Sequence, residues 1–327
     1  MSGKNTAQQL AFAGSALAVA VFLVITLWAP PTTIAPECRL HHNAAWISVD
    51  WTSQPVNGDA VQEMMQYAGE RQIHYLFPYT TYLKQDGSFN PTFGHAAEFV
   101  AAAKEQNPDG KLLAWIGVPL ENRLPFGVQG WVDLADDETR RSIAALASDL
   151  THAGFDGVHL NVETVRNGDE AFLWLLEETR QSIGSQHILS VAGAHWQPDW
   201  VGSISGVGSL RWDSAYYREV AARVDQIATM TYDSFMPLPA LYRWWVRTEV
   251  EGLLAAGVDR STDLMIGLSV SREKTASHNP SAETLRDGLA GACAALKGRD
   301  HQAQGYAIYA DWEFSSEDQA AWRQMID

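Results

Sequence analysis

The stretch Gly154-Phe155-Asp156-Gly157-Val158-His159-Leu160-Asn161-Val162-Glu163 decides how this chain is read. A Gly-x-Asp-Gly turn opens it, and an alternation of period two follows, the mark of a β-strand. Val158, Leu160 and Val162 fall on one side of that strand, and His159, Asn161 and Glu163 on the other. Burying three polar side chains on one face costs free energy unless each finds a partner. Such a strand fits the C-terminal mouth of a parallel barrel, where functional groups converge.

Working outward, seven more runs share the apolar, β-branched and aromatic character of this one. They begin at Ala44, Ile73, Lys111, His187, Asp225, Asp263 and Gly305; with Gly157 the eight starts lie 29 to 46 residues apart. Each gap has room for the crossover helix that parallel pairing requires. Amphipathic segments fill the gaps at Asp59 to Arg71, Glu98 to Gln106, Asp136 to Ala153, Glu170 to Ile183, Glu249 to Ala256 and Ala282 to Leu296, with a capping-box start at Ser315 for a last helix. The expected architecture is a (β/α)8 TIM barrel over residues 44–327, an α/β fold preceded by one N-terminal transmembrane helix. A doubly wound open sheet is the alternative, but no G-x-G-x-x-G or Walker-type loop accompanies it.

Residues 10–28, Leu10 to Trp28, contain no charge, close to the ~20 residues that cross a bilayer as a helix. Lys4 precedes them, which puts residues 1–9 in the cytoplasm and the barrel outside it, as a single-pass membrane protein facing the periplasm or cell surface. A cleaved signal peptide is the competing reading. Pro30, Pro31 and Pro36 make residues 29–43 a tether. Cys38 and Cys293 could pair in an oxidising compartment, and Cys293 equally suits a small core position.

With 46% hydrophobic and 19% charged residues the chain is globular, and 23 basic against 39 acidic residues leave a net charge of -16. Phosphate backbones are repelled by that balance, so nucleic acid is not the expected partner. No metal-ligand spacing, cofactor loop or G-x-S-x-G elbow is present, and neither metal nor cofactor is expected. The ends of the runs carry carboxylates and aromatic rings instead: Asp50, Trp115, Trp196 after His195, Met230-Thr231-Tyr232-Asp233, and Asp311-Trp312-Glu313. Aromatic walls with carboxylates between them suit a glycan.

On these residues the chain resembles the glycoside hydrolase family 18 group, the chitinase-like and spore-cortex-lytic-like (β/α)8 enzymes. Asp156 to Glu163 looks like that family's D-G-x-D-x-D-x-E strand, Met230-Thr231-Tyr232-Asp233 like its M-x-Y-D, and Gly305 to Asp311 is similar to its last strand. The resemblance implies that Glu163 is the general acid and then the base while the substrate's own acetamido oxygen attacks the anomeric carbon, an exception to the two-carboxylate scheme. It further implies that Tyr232 binds the acetamido group, that Asp233 binds sugar hydroxyls and that Asp156 is structural. His159 and Asn161 stand where the family has aspartates. Asn161-Val162-Glu163 is similar to the Asn-x-Glu pair of another group of endo-N-acetylglucosaminidases, so Asn161 is expected to hold the acetamido group, with His159 hydrogen-bonding Asn161 and titrating near neutral pH.

The expected function is therefore a membrane-anchored hydrolase of a β-linked N-acetylhexosamine glycan, such as peptidoglycan, a chitin-like chain or an exopolysaccharide. Glu163, Asn161 and Tyr232 are its catalytic residues, and His159, Asp233, Asp50, Trp115, Trp196, Trp312 and Met230 its substrate-binding ones. A catalytically silent barrel that binds glycan or a cell-envelope partner is the second reading. A hydrolase taking a second carboxylate from Asp233, Asp50 or Glu313 is the third.

Overall fold

The structure is a computed structural model that describes residues 29–124, 127–202, 210–299 and 303–326. All eight runs form strands: β1 (Asn43–Ile47), β2 (Ile73–Tyr82), β3 (Lys111–Pro119), β4 (Gly157–Glu163), β5 (Ile188–Gly193), β6 (Gln226–Met230), β7 (Asp263–Ser269) and β8 (Ala303–Tyr309). Neighbours pair in parallel in the order β1-β8-β7-β6-β5-β4-β3-β2, and β2 returns to β1, which closes the barrel. A helix follows each strand: α1 (Gly58–Glu70), α2 (Ala96–Gln106), α3 (Asp137–His152), α4 (Glu170–Ile183), α5 (Ser214–Ala221), α6 (Pro239–Ala255), α7 (Leu285–Leu296) and α8 (Ser316–Ile326).

Local chemistry sets the ends of these helices. Asp136 accepts from the N–H groups of Glu138 and Thr139 at the start of α3, and Ser315 with Asp318 forms the reciprocal box that starts α8. The sixth helix begins at Pro239, well before the expected Glu249, because proline at the first turn loses no hydrogen bond and Leu241, Tyr242 and Val246 extend its buried stripe. A short α5, capped by Asp213, was not expected from periodicity.

Apolar residues between strands and helices form the main core, while Trp46, Phe77, Leu113, Trp115 and Met265 fill the barrel itself. Gly157 stands where β4 and β5 meet: a Cβ there would lie 2.0 Å from the Ile188 carbonyl oxygen, so only glycine allows the pairing. The Asp156 carboxylate accepts from Leu112 N–H at 2.8 Å and ion-pairs with Lys104, tying β4 to β3 and α2.

Residues 10–28, read as a transmembrane helix, lie outside the described residues; among the described ones no helix is long and apolar enough to cross a membrane. The end of the tether packs on the barrel. Cys38 and Leu40 are buried, Arg243 donates to the Pro30 carbonyl oxygen at 2.8 Å, and Cys38 is joined to Cys293 of α7 by a disulfide.

Candidate active site

The three polar residues on the inner face of β4 take different depths. His159 is fully buried in the barrel, its ring stacked on Phe77 at 4.2 Å. Trp46 Nε1–H donates to its Nε2 at 3.0 Å, which leaves Nδ1 to donate to Ser190 Oγ at 2.8 Å, and Ser190 in turn donates to Gln226 at 2.8 Å. Both ring nitrogens are thus spent. Burial depresses the imidazolium to about 3, so the ring stays neutral. This corrects three expectations: His159 is buried away from the cleft, it does not orient Asn161, and it does not titrate near neutral pH.

Asn161 lies one layer higher, opposite Gly117 of β3. Its amide hydrogen-bonds Glu163, while its Oδ1 is buried with no partner. Glu163 closes the strand. Its side chain is exposed at the mouth of the barrel, in the wall of the cleft. Desolvation lifts the carboxyl above its ordinary range, the charge of Asp233 adds to the rise, and the Asn161 hydrogen bond opposes both. A carboxyl whose proton affinity is raised in this way suits a general acid.

A cleft of about 690 Å³ opens over Asn161 and Glu163, walled by Tyr79, Trp115, Trp131, Tyr309 and Trp312. Beneath it a recess of about 200 Å³ is bounded by Trp46, Trp115, Met230, Tyr232, Asp233 and Tyr309. Tyr232 and Tyr309 stack at 5.3 Å and 8°, and burial keeps the Tyr232 phenol protonated, hence a donor. Trp115 Nε1 is buried without a partner, a second polar atom left unpaired at this recess. Asp233 is exposed beside Glu163, with a positive φ of 58°.

The strand ends bring together Glu163, Asn161, Tyr232, Asp233, Met230 and Trp115, with Trp312 on the rim. Two expected contacts are corrected. Asp50 starts a one-turn helix after β1, bonds Ser48 Oγ at 2.9 Å and does not line the cleft. Trp196 packs inward against α6 at Gly252, its Nε1 donating to Ser214, so it is a packing residue and not a platform. Of the alternative second carboxylates, Glu313 is held by the Arg272 N–H at 2.5 Å.

A model of the glycosyl hydrolases family 18 matches residues 45–324, nearly the whole barrel chain. The chain belongs to that family. It is a glycosidase of the O-glycosyl type. No curated protein sequence matches it. Solved structures of family 18 character share the fold at low identity: the spore cortex-lytic enzyme SleL of Bacillus megaterium QM B1551, at 14% identity and TM-score 0.60 over 89% of this chain and 75% of that one; and the class V chitinase of Pseudomonas fluorescens Pf-5, at 15% and 0.58 over 88% and 99%. A family 18 chitinase from Cycas revoluta, solved with allosamidin, matches at 13% and 0.56 over 87% and 98%.

Within this family 18 barrel, three parts of the cleft escaped the sequence reading. Tyr309 follows Gly305 and Ala307 on the inward face of β8, a periodicity that would have placed it. Trp131 comes from the end of a hairpin (Asn122–Leu124 and Gly127–Gln129) and is oriented by donating to the Leu83 carbonyl at 3.0 Å, a contact with no local signal. His278 and Glu283, which meet Asp233 from the loop between β7 and α7, carry none either.

Proposed function

We propose that the chain hydrolyses a β-linked N-acetylhexosamine glycan, with Glu163 as general acid and base and the substrate's acetamido group as nucleophile. The observation that carries this reading is the pairing at the end of β4: a Glu163 whose proton affinity is raised by desolvation, beside an Asn161 whose buried Oδ1 has no partner. An orphaned acceptor beside the acid fits an acetamido N–H. Tyr232 donates to the acetamido oxygen as it bonds to the anomeric carbon, Glu163 gives its proton to the departing glycosidic oxygen, and the aglycone leaves. Glu163, now a carboxylate, then takes a proton from the water that reopens the ring intermediate.

Asn161 brings geometry without the counter-charge of an aspartate, so its share of transition-state stabilisation is smaller than a carboxylate would supply. Asp233 binds sugar hydroxyls, and Trp115, Trp131 and Trp312 offer flat faces to the sugar rings. The cortex-lytic and chitinase identities of the structural neighbours support peptidoglycan or a chitin-like chain as the glycan.

The anchor belongs to the same proposal. The uncharged residues 10–28 hold the barrel to a membrane, on its extracytoplasmic side. The Cys38–Cys293 disulfide supports an oxidising compartment. Product release from purified peptidoglycan and from N-acetylglucosamine oligomers, by the chain and by Glu163→Gln, tests the chemistry. Release that is lost by a factor of about 10²–10⁴ in the variant is expected, the usual worth of a general acid; equal release by both would overturn it. Alkaline washing of membranes tests the anchor, which predicts that the full chain stays bound and a chain begun at residue 29 does not.

A further inference from the structure

We propose that His278 is a positioning residue of the active site: a doubly protonated ring that clamps Asp233 beside Glu163. The proposal deepens the hydrolase reading and rests on it for its kinetic arm. His278 is buried, on the loop between β7 and α7. Its Nδ1 lies 3.3 Å from Asp233 Oδ1 and 3.2 Å from Glu283 Oε2, and its Nε2 lies 3.1 Å from the Ser271 carbonyl oxygen.

All three partners are acceptors when the carboxylates are ionised. A neutral imidazole donates from one nitrogen only and would leave a buried acceptor facing a lone pair, so the ring satisfies its surroundings only with a proton on each nitrogen. Glu283 explains why the charge is needed. It is buried, and its oxygens also take the N–H groups of Asp233 at 2.8 Å, Ser234 at 3.3 Å and Asn279 at 3.4 Å. These donors favour the ionised carboxylate, and a cation beside it offsets the rest of the cost of burying that charge.

Among the described residues His278 is the cationic side chain that pairs with Asp233 and Glu283. Arg243 of α6 is taken by Asp287 of α7, and Arg272 of the same loop by Asp318 of α8. The hydrogen bonds of His278 outweigh the opposing effect of its burial and raise the ring to about 10. Glu283 and His278 therefore act as one unit on the residue after Tyr232. Glu283 fixes the backbone, where Asp233 and Phe235 adopt left-handed conformations at φ 58° and 61°, and His278 fixes the Asp233 carboxylate. Because Asp233 sets part of the proton affinity of Glu163, the clamp reaches the acid.

His278→Gln keeps a hydrogen-bonding side chain and removes the charge. On an N-acetylglucosamine oligomer, the full chain bearing it is expected to lose kcat on the order of tenfold with KM nearly unchanged, the scale of one charged hydrogen bond. The acid limb of its kcat/KM profile moves to higher pH, since two carboxylates that share no cation hold a proton longer. In Asp233→Asn the same change should cost little more, because both act through one contact. A folded His278→Gln with the parent's pH profile, or losses that simply add, would overturn the proposal.

Nitrogen NMR of the parent decides the matter without activity or variants. Both His278 ring nitrogens should remain protonated at pH 8, and Asp233→Asn should lower the pH at which the first proton leaves. A neutral ring at pH 8 sinks the clamp even if the glycan is cut, and a charged ring in a chain that cuts no glycan sinks the hydrolase reading alone.

Discussion

In the proposed mechanism Glu163 and Asn161 divide between them what a carboxylate pair does in most glycosidases: one holds a proton and the other holds the substrate. Asn161→Asp tests that division. It removes the amide donor to Glu163 and adds a negative charge, and both changes raise the proton affinity of Glu163. The alkaline limb of the activity profile should therefore move to higher pH, as kcat/KM against pH would report. Asn161→Ala should instead weaken the grip on the acetamido group by about 1–3 kcal/mol, the cost of an unmade buried hydrogen bond. His159 makes a different prediction. Its folded value near 3 lies below the ordinary 6.5, so the unfolded chain takes up a proton that the native ring refuses. Stability is lost as pH falls from about 6.5 toward 3, and urea midpoints between pH 7 and pH 4 should fall less steeply in His159→Gln than in the parent. The alternation of β4 placed His159, Asn161 and Glu163 on one face from the sequence alone. It said nothing of depth, and depth makes His159 a core residue and leaves Glu163 at the mouth.

At the scale of elements, the eight strands were legible because each is a short apolar run bounded by turns and separated by helix-length segments. The helices were legible where a cap and a stripe coincided, as in α3 and α4, and obscure where a short segment depends on packing, as in α5. Trp196 shows why rim residues are harder. It follows β5 like a platform residue, yet Gly252 of α6 leaves a space that its ring fills, and no local pattern links positions 196 and 252. A Cβ at Gly252 would meet that ring at 2.1 Å. Gly252→Ala should then destabilise the barrel by about 1–3 kcal/mol through overpacking, with kcat/KM unchanged per folded molecule. Denaturant titration beside steady-state kinetics checks both halves. A loss of substrate affinity in the still-folded variant would return Trp196 to the cleft.

Across the whole molecule, the barrel closes between β1 and β8, and the Cys38–Cys293 disulfide staples the segment before β1 to α7 beside that seam. The bond spans 255 residues, so it constrains a large part of the unfolded chain. Cys38→Ser with Cys293→Ser should cost about 2–5 kcal/mol in denaturant and leave the cleft's chemistry intact, since neither cysteine lines it. Sequence left that pairing open because only the closed barrel brings positions 38 and 293 together. The same closure gathers Glu163 from β4, Tyr232 after β6 and Tyr309 from β8 around one recess. The central claim is that the acetamido group of the substrate does the attacking there, and the stereochemistry of the first product tests it most directly. Proton NMR of an N-acetylglucosamine hexamer, followed from the moment of mixing, should show the β-anomer first, because two displacements at the anomeric carbon retain its configuration. An α-anomer appearing first would require a water activated by a second carboxylate and would contradict the account.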